Sequence, residues 1–98
     1  MIRSFRDKGT RDVFDGKDGK VARRACPPEL AGRARELLDQ LDWARELRDL
    51  REPPSNRLEK LSGDRAGQWS LRVNDQYRIC FDWPEDAAWD VEITKHYR

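Results

Sequence analysis

The sequence contains few of the residues that build metal sites and disulfide frameworks. Two cysteines, one histidine and one methionine occur among its 98 residues. Cys26 and Cys80 form no Cys-x-x-Cys pair and lie near no group of histidines, so the sequence does not favour a zinc site. Cys26 precedes two prolines and Cys80 lies in a predicted strand, so we expect both thiols to pack inside the fold rather than to react.

Long apolar runs and a strong net charge are also missing. Residues 1–6 contain no hydrophobic segment of an export signal, and no run approaches membrane-spanning length, so we expect a cytoplasmic protein that does not enter a membrane. The net charge is only +1, although 40% of the residues are charged. Nucleic-acid binders often carry a global excess of base, so a polyanion site here must be a local patch.

Apolar spacing predicts helices in the first half of a single domain spanning residues 1–98. A short opening strand is expected over residues 2–6, and a brief helix around residues 10–14. Pro27-Pro28-Glu29 is a typical helix start, because proline suits the first helical position and an early glutamate complements the helix dipole. The main helix is predicted over residues 28–44, and a further helical turn around Leu47 and Leu50.

After residue 56 the apolar period changes to two, which indicates β-strands. A short strand around Leu58 and Leu61 is followed by three strands joined by short turns. The side chains predicted to face the helix are Trp69, Leu71, Val73, Tyr77, Ile79, Phe81, Trp89, Val91 and Ile93. A helix followed by an antiparallel meander predicts an α+β domain, a compact antiparallel sheet with helices packed on one face.

The opposite face of this sheet is predicted to carry charge. Strand alternation assigns Arg72, Arg78 and Glu92 to it, together with His96 if the last strand continues. Arginines beside an imidazole suit a phosphodiester, since arginine stabilises phosphate charge and histidine moves a proton. These residues are equally compatible with ordinary surface ion pairs, worth about 0–1 kcal/mol each. From the residues alone, the reading is a small α+β domain that binds RNA or protein.

Four segments in order along the chain resemble the HigB group of the RelE toxin superfamily. They are the opening IRSFRDK at 2–8, PPSNRLEKLSGDRAGQWS at 53–70, RVNDQYRICF at 72–81 and the ending DVEITKHYR at 90–98. The resemblance implies a toxin of a type II toxin–antitoxin system, with a compact antiparallel sheet and helices on one side. This fold agrees with the one predicted from the apolar pattern.

The resemblance also implies an activity and partners. Such a toxin would be an endoribonuclease that enters the ribosomal A site and cleaves mRNA there, without a metal or nucleotide cofactor. A ribose 2′-hydroxyl would attack the adjacent phosphorus and release a 5′-hydroxyl product. The expected partner is a HigA-like helix-turn-helix antitoxin, which would neutralise the toxin and carry it to operator DNA.

Site residues follow from the resemblance position by position. Arg78 matches the arginine that RelE-type toxins use against the scissile phosphate. An Asp-Tyr-His triplet found in part of the HigB family aligns with Lys95, His96 and Tyr97, so the tyrosine and histidine are exchanged and lysine replaces aspartate. A histidine of some relatives falls on Glu59. His96 or Tyr97 is therefore expected to transfer a proton, and Arg78 and Lys95 to stabilise phosphate charge. Glu59 is a candidate general base, with a surface ion pair to a cation as the alternative.

Four further cations are candidates for binding mRNA or ribosomal RNA, each with solvated surface charge as the alternative: Arg57, Lys60, Arg65 and Arg72. Trp69 has the parity of a core residue, so we expect it in the core rather than stacked on a base. Two other functions stay open. One is a RelE-fold protein that binds its antitoxin or the ribosome without cleavage, and the other is a ParE-like toxin with a target such as gyrase.

Overall fold

The first half of the chain forms three helices in the computed structural model, which describes residues 1–95. They are α1 (Lys8–Phe14), α2 (Lys20–Ala25) and α3 (Ala31–Trp43), the last preceded by a 3₁₀ turn at Pro28–Leu30. The predicted helices at 10–14 and 28–44 are confirmed, whereas α2 was not predicted. Within residues 1–95, no helix is both long enough and apolar enough to cross a membrane.

The second half forms a four-stranded antiparallel sheet. Its strands are β1 (Glu59–Lys60), β2 (Trp69–Arg72), β3 (Tyr77–Asp82) and β4 (Trp89–Lys95), in that spatial order. The predicted opening strand is reduced to two parallel bridges along the edge of the sheet at β4. One joins Ile2 to Ala88, just before β4, and the other joins Phe5 to Val91 within it. The N-terminal residues therefore flank the strand that leads to the chain's end.

The core lies between α3 and the inner face of the sheet. One face of α3 is fully buried through Ala34, Leu37, Leu38 and Leu41. From the sheet, Leu71, Ile79, Phe81 and Val91 meet this face and are equally inaccessible. Burying each large side chain contributes about 1.5–3 kcal/mol, so this layer fixes which way the strands face. The two-layer α+β prediction is confirmed.

The prediction that Trp89 points into the core is wrong. Its side chain is 43% exposed, because β4 contains one residue more than β3 across from it. Cys80 pairs with Glu92, but Asp82 pairs with Trp89, so the extra residue forms a β-bulge. On the N-terminal side of the bulge, the side chains of β4 therefore point to the opposite face from the one that simple alternation predicts. Trp89 therefore shares the outer face of the sheet with its partner Asp82.

A hydroxyl group from α1 ties the end of β4 to the helical layer. Thr10 is fully buried, and its Oγ1 accepts a hydrogen bond from the backbone N–H of Ile93 at 3.0 Å. Asp7 in turn caps α1, accepting from the backbone N–H of Thr10 at 2.7 Å. These contacts fix α1 against the strand that precedes the C-terminal residues.

Replacing Thr10 by valine should destabilise the fold without changing its shape. Thr10→Val preserves volume but leaves the Ile93 N–H buried without an acceptor, which costs about 1–3 kcal/mol. Thr10→Ser, the matched control, keeps the hydroxyl and should lose less. Urea unfolding measures both free energies; a Thr10→Val midpoint equal to that of the wild type would show that this hydrogen bond does not hold β4.

Candidate active site

The outer face of the sheet gathers a set of polar side chains from all four strands. Cross-strand pairing sets Arg72 opposite Arg78, Ser70 opposite Cys80, and Cys80 opposite Glu92. Pairing of Glu59 with Ser70 brings β1 onto the same face. We call this set the outer polar face; its members are Glu59, Ser70, Arg72, Arg78, Cys80 and Glu92.

Arg78 lies near the centre of the outer polar face and is held from two sides. Its side chain is only 14% exposed. Nη1 donates to the hydroxyl of the fully buried Ser70 at 3.0 Å and lies 3.2 Å from Oε1 of Glu59. Both contacts are made by one nitrogen of a planar group that has several N–H donors. Among contacts within residues 1–95, the other N–H donors of the fork are not used, so the fork can offer them to an anion while its position is fixed.

Beside Arg78, two arginines converge on the carboxylate of Glu92. Arg65 Nη2 lies 3.1 Å from Glu92 Oε1, and Arg6 Nε lies 3.9 Å from the same oxygen. Arg65 also donates to Gln68 Oε1 at 3.0 Å. Arg6 was not foreseen as a site residue, because only the parallel pairing of the N-terminal segment with β4 brings it here. The polar alternation of β2 could have identified Ser70.

The structure separates the four predicted RNA-binding cations into three places. Arg57 and Arg72 line a groove of about 530 Å³ together with Arg33 of α3. Arg72 forms an ion pair with Asp75 in the following turn. Arg65 lies beside Glu92 as described above. Arg57 is exposed and adopts a left-handed backbone conformation, with φ of 47°.

The remaining predicted cation of this group, Lys60, lies on β1 against an aromatic ring. Its Nζ is 5.8 Å from the ring centroid of Trp69, a cation–π distance. Trp69 is partly buried and packs against the core, as predicted. It is therefore not free to stack on a base.

Of the predicted C-terminal site residues, the structure describes Lys95 alone. Lys95 ends β4 opposite Tyr77 and lines a groove of about 570 Å³ with Lys8 and Arg24 of the helical layer. Its parity is opposite to that of Thr94, the partner of Arg78, so residues 1–95 do not bring Lys95 onto the outer polar face. His96 and Tyr97 lie outside the described residues.

Both cysteines are buried, as expected for packing residues. Burial raises the pKa of the Cys26 thiol to about 11, with a further contribution from Glu29. Burial also raises the pKa of Cys80, partly offset by the positive charge of Arg65 and Arg78. Among residues 1–95, no three His, Cys, Asp or Glu side chains cluster as a metal ion would require.

Solved structures of toxins share this fold. The YoeB–YefM complex from Staphylococcus aureus gives a TM-score of 0.60 at 15% identity, covering 99% of both chains. A YoeB/ParE toxin from Agrobacterium tumefaciens gives a TM-score of 0.53 at 16% identity, covering 98% of this chain and all of the other. At such identities the likeness defines the fold, an α+β toxin fold of the RelE and YoeB type.

Sequence comparisons define the family. The sequence model of the HigB-like toxin family, described as the RelE-like toxin HigB of type II toxin–antitoxin systems, matches residues 3–96. Toxin HigB-1 of Vibrio cholerae is 35% identical over 96 residues, covering 98% of both chains. Endoribonuclease HigB of Proteus vulgaris is 32% identical over 97 residues, covering 99% of this chain and all of the relative. The chain belongs to the HigB-like family of type II toxins.

The buried thiol of the outer polar face should resist alkylation. In a Cys26→Ala variant, Cys80 is the remaining thiol, and its raised pKa lowers the thiolate fraction at any given pH. We expect iodoacetamide at pH 8 to modify Cys80 much more slowly in the folded protein than in urea. Mass spectrometry follows the reaction, and equal rates in both states would show that Cys80 is accessible.

Proposed function

We propose that this toxin is an endoribonuclease that cleaves mRNA on the outer polar face, with Arg78 at the scissile phosphate. The observation that carries the proposal is the fixed, partly buried guanidinium of Arg78 between Ser70 and Glu59. The name of the Proteus vulgaris relative, Endoribonuclease HigB, supports an RNA-cleaving activity.

The proposed reaction is an internal displacement at phosphorus. The ribose 2′-oxygen forms a bond to the phosphorus as the bond to the 5′-oxygen breaks, leaving a 2′,3′-cyclic phosphate and a 5′-hydroxyl. Negative charge grows on the non-bridging oxygens in the transition state. Arg78 donates charge-assisted hydrogen bonds to these oxygens, and its contact with Ser70 keeps it in place before substrate arrives.

Two protons must move in this reaction. The 2′-hydroxyl loses one, and Glu59 is positioned to take it, since its carboxylate lies 3.2 Å from Arg78 and its side chain is 48% exposed. When a phosphate binds the guanidinium of Arg78, it displaces the carboxylate of Glu59, which is then free beside the ribose. The leaving 5′-oxygen gains the other proton, a role we assign to His96 or Tyr97. Lys95 ends β4 with the opposite parity, so it is given no contact with the reacting phosphate.

The RNA backbone is proposed to run across the outer polar face with one phosphate at Arg78. Arg57 and Arg72 lie together in one groove, and Arg65 lies with Arg6 at Glu92. Lys60 stands on the edge strand β1. Phosphate contacts of this kind supply affinity that is independent of sequence and weakens with salt. A set of local cations suits an RNA site in a chain whose net charge is near zero.

The proposed setting is the ribosomal A site in the cytoplasm, with a HigA-like helix-turn-helix antitoxin as the neutralising partner. Membership of a toxin–antitoxin family supports an antitoxin partner. The YoeB structure is itself that of a complex with YefM, which supports neutralisation by direct binding. Operator DNA would be contacted through the antitoxin.

Removing the guanidinium of Arg78 should abolish cleavage. Arg78→Ala should lower the cleavage rate of translated mRNA by about 10²–10³-fold, the usual loss for one transition-state donor. Arg48→Ala is the matched control. Arg48 is exposed, pairs with Glu46, and lies 30 residues before Arg78 in the chain. Primer extension detects the new 5′ ends; an unchanged cleavage rate in a folded Arg78→Ala protein would place the site elsewhere.

Glu59→Gln separates a base from a mere partner of Arg78. The amide keeps the size of the side chain but cannot take the 2′-hydroxyl proton, so we expect a loss of about 10²–10⁴-fold in single-turnover rate. Glu46→Gln provides a control carboxylate that pairs with Arg48. Glu59→Gln protein that cleaves at the wild-type rate or faster would show that Glu59 only occupies Arg78 until RNA binds.

A further inference from the structure

Trp89 lies on the same side of the sheet as Arg78, at the other end of the face. It pairs with Asp82, which is four residues along β3 from Arg78. At a rise of about 3.3 Å per residue, the two positions are roughly 13 Å apart. Between them lie Cys80 and its partner Glu92, with Arg6 and Arg65 on the latter's carboxylate. The exposed indole is thus continuous with the proposed RNA path.

The exposure of Trp89 is built into the chain rather than left by chance. Asp90, the bulge residue, has a positive φ of 53°, a conformation that L-residues rarely adopt. Its backbone N–H donates to Ser4 Oγ at 2.8 Å, and the neighbouring Val91 N–H donates to the carbonyl of Ser4 at 3.0 Å. The N-terminal segment therefore holds the bulge that turns the indole outward.

The surroundings of Trp89 suit a nucleobase better than a phosphate. A depression of about 510 Å³ is lined by Trp89, Arg3, Ala87, Glu85 and Asp86. The two carboxylates outnumber the one cation, Arg3, so the depression as a whole disfavours phosphate, and the carboxylates can accept hydrogen bonds from the exocyclic amine of a base. The indole offers a flat surface for stacking, which any base can use.

We propose that Trp89 stacks on an unpaired base of the RNA whose phosphate lies at Arg78, with Glu85 and Asp86 favouring a base that carries an exocyclic amine. This inference rests on the proposed function. The cations Arg6 and Arg65 lie between the two positions, which favours a continuous RNA strand over a protein partner as the occupant.

Single-turnover cleavage of mRNA in programmed ribosomes tests the proposal, with toxin concentration varied. Trp89→Leu keeps apolar bulk but removes the flat ring, and Trp89→Phe keeps a ring. We expect Trp89→Leu to raise the toxin concentration for half-maximal rate by about 5- to 150-fold, the range that one stacked base supports, while Trp89→Phe retains most of the affinity. Trp43→Leu is the matched control, since Trp43 is 81% exposed at the end of α3.

The outcomes separate this inference from the proposed function. Cleavage by the wild type with an unchanged concentration dependence in Trp89→Leu would overturn the stacking role alone. So would a Trp89→Leu protein that cleaves normally but binds its antitoxin more weakly, because the surface would then be a protein interface. A wild-type protein that makes no new mRNA ends would contradict the proposed function and the stacking role with it.

Discussion

The pairing register of β3 with β2 and β4 decides which side chains are buried against α3 and which lie on the outer polar face. Ile79 and Phe81 are fully buried against α3, so the residues between and before them must point outward. This alternation places Arg78 and Cys80 on the outer polar face. A slip of one residue would bury the guanidinium and expose the phenyl ring, which the loss of apolar burial forbids.

The outer polar face explains how a chain with a net charge of +1 can offer a site to a polyanion. Arg78 is paired with Glu59 of the same face, and Arg65 approaches the face to pair with its Glu92. A phosphate brings its own negative charge, so it can replace the carboxylate without leaving the largely buried guanidinium of Arg78 unpaired. In the free protein, Arg78 and Arg65 thus keep carboxylate partners until an anion binds.

Much of this arrangement could be predicted from the sequence, because it follows from two spacings of apolar residues, one typical of helices and one typical of strands. The spacing of leucines gave α3, and the alternation after residue 56 assigned Arg78 to the outer face. The short helix α2 was missed because residues 20–25, KVARRA, contain too few apolar positions to show a period. The outward position of Trp89 was missed because the residue with positive φ in the bulge is Asp90. A glycine at that position would have indicated a bulge.

Contacts between distant segments were beyond the reach of sequence patterns. The approach of Arg6 to Glu92 depends on parallel pairing of the N-terminal residues with β4, which no local spacing encodes. The ion pair of Glu59 with Arg78 likewise depends on the two-residue strand β1 pairing with β2. The family resemblance had identified Glu59 and Arg78 as candidate site residues, and the strand register explains why they lie in contact.

Internal attack by a ribose hydroxyl beside Arg78 requires that hydroxyl, so a single 2′-deoxy substitution in the mRNA tests it. An mRNA carrying 2′-deoxyribose at the mapped cleavage site is placed in programmed ribosomes with the wild-type toxin, and the rate of cleavage there is measured. The proposed mechanism predicts that cleavage at this position is abolished while the unmodified mRNA yields a 2′,3′-cyclic phosphate. Cleavage of the deoxy-substituted position at the unmodified rate would contradict it.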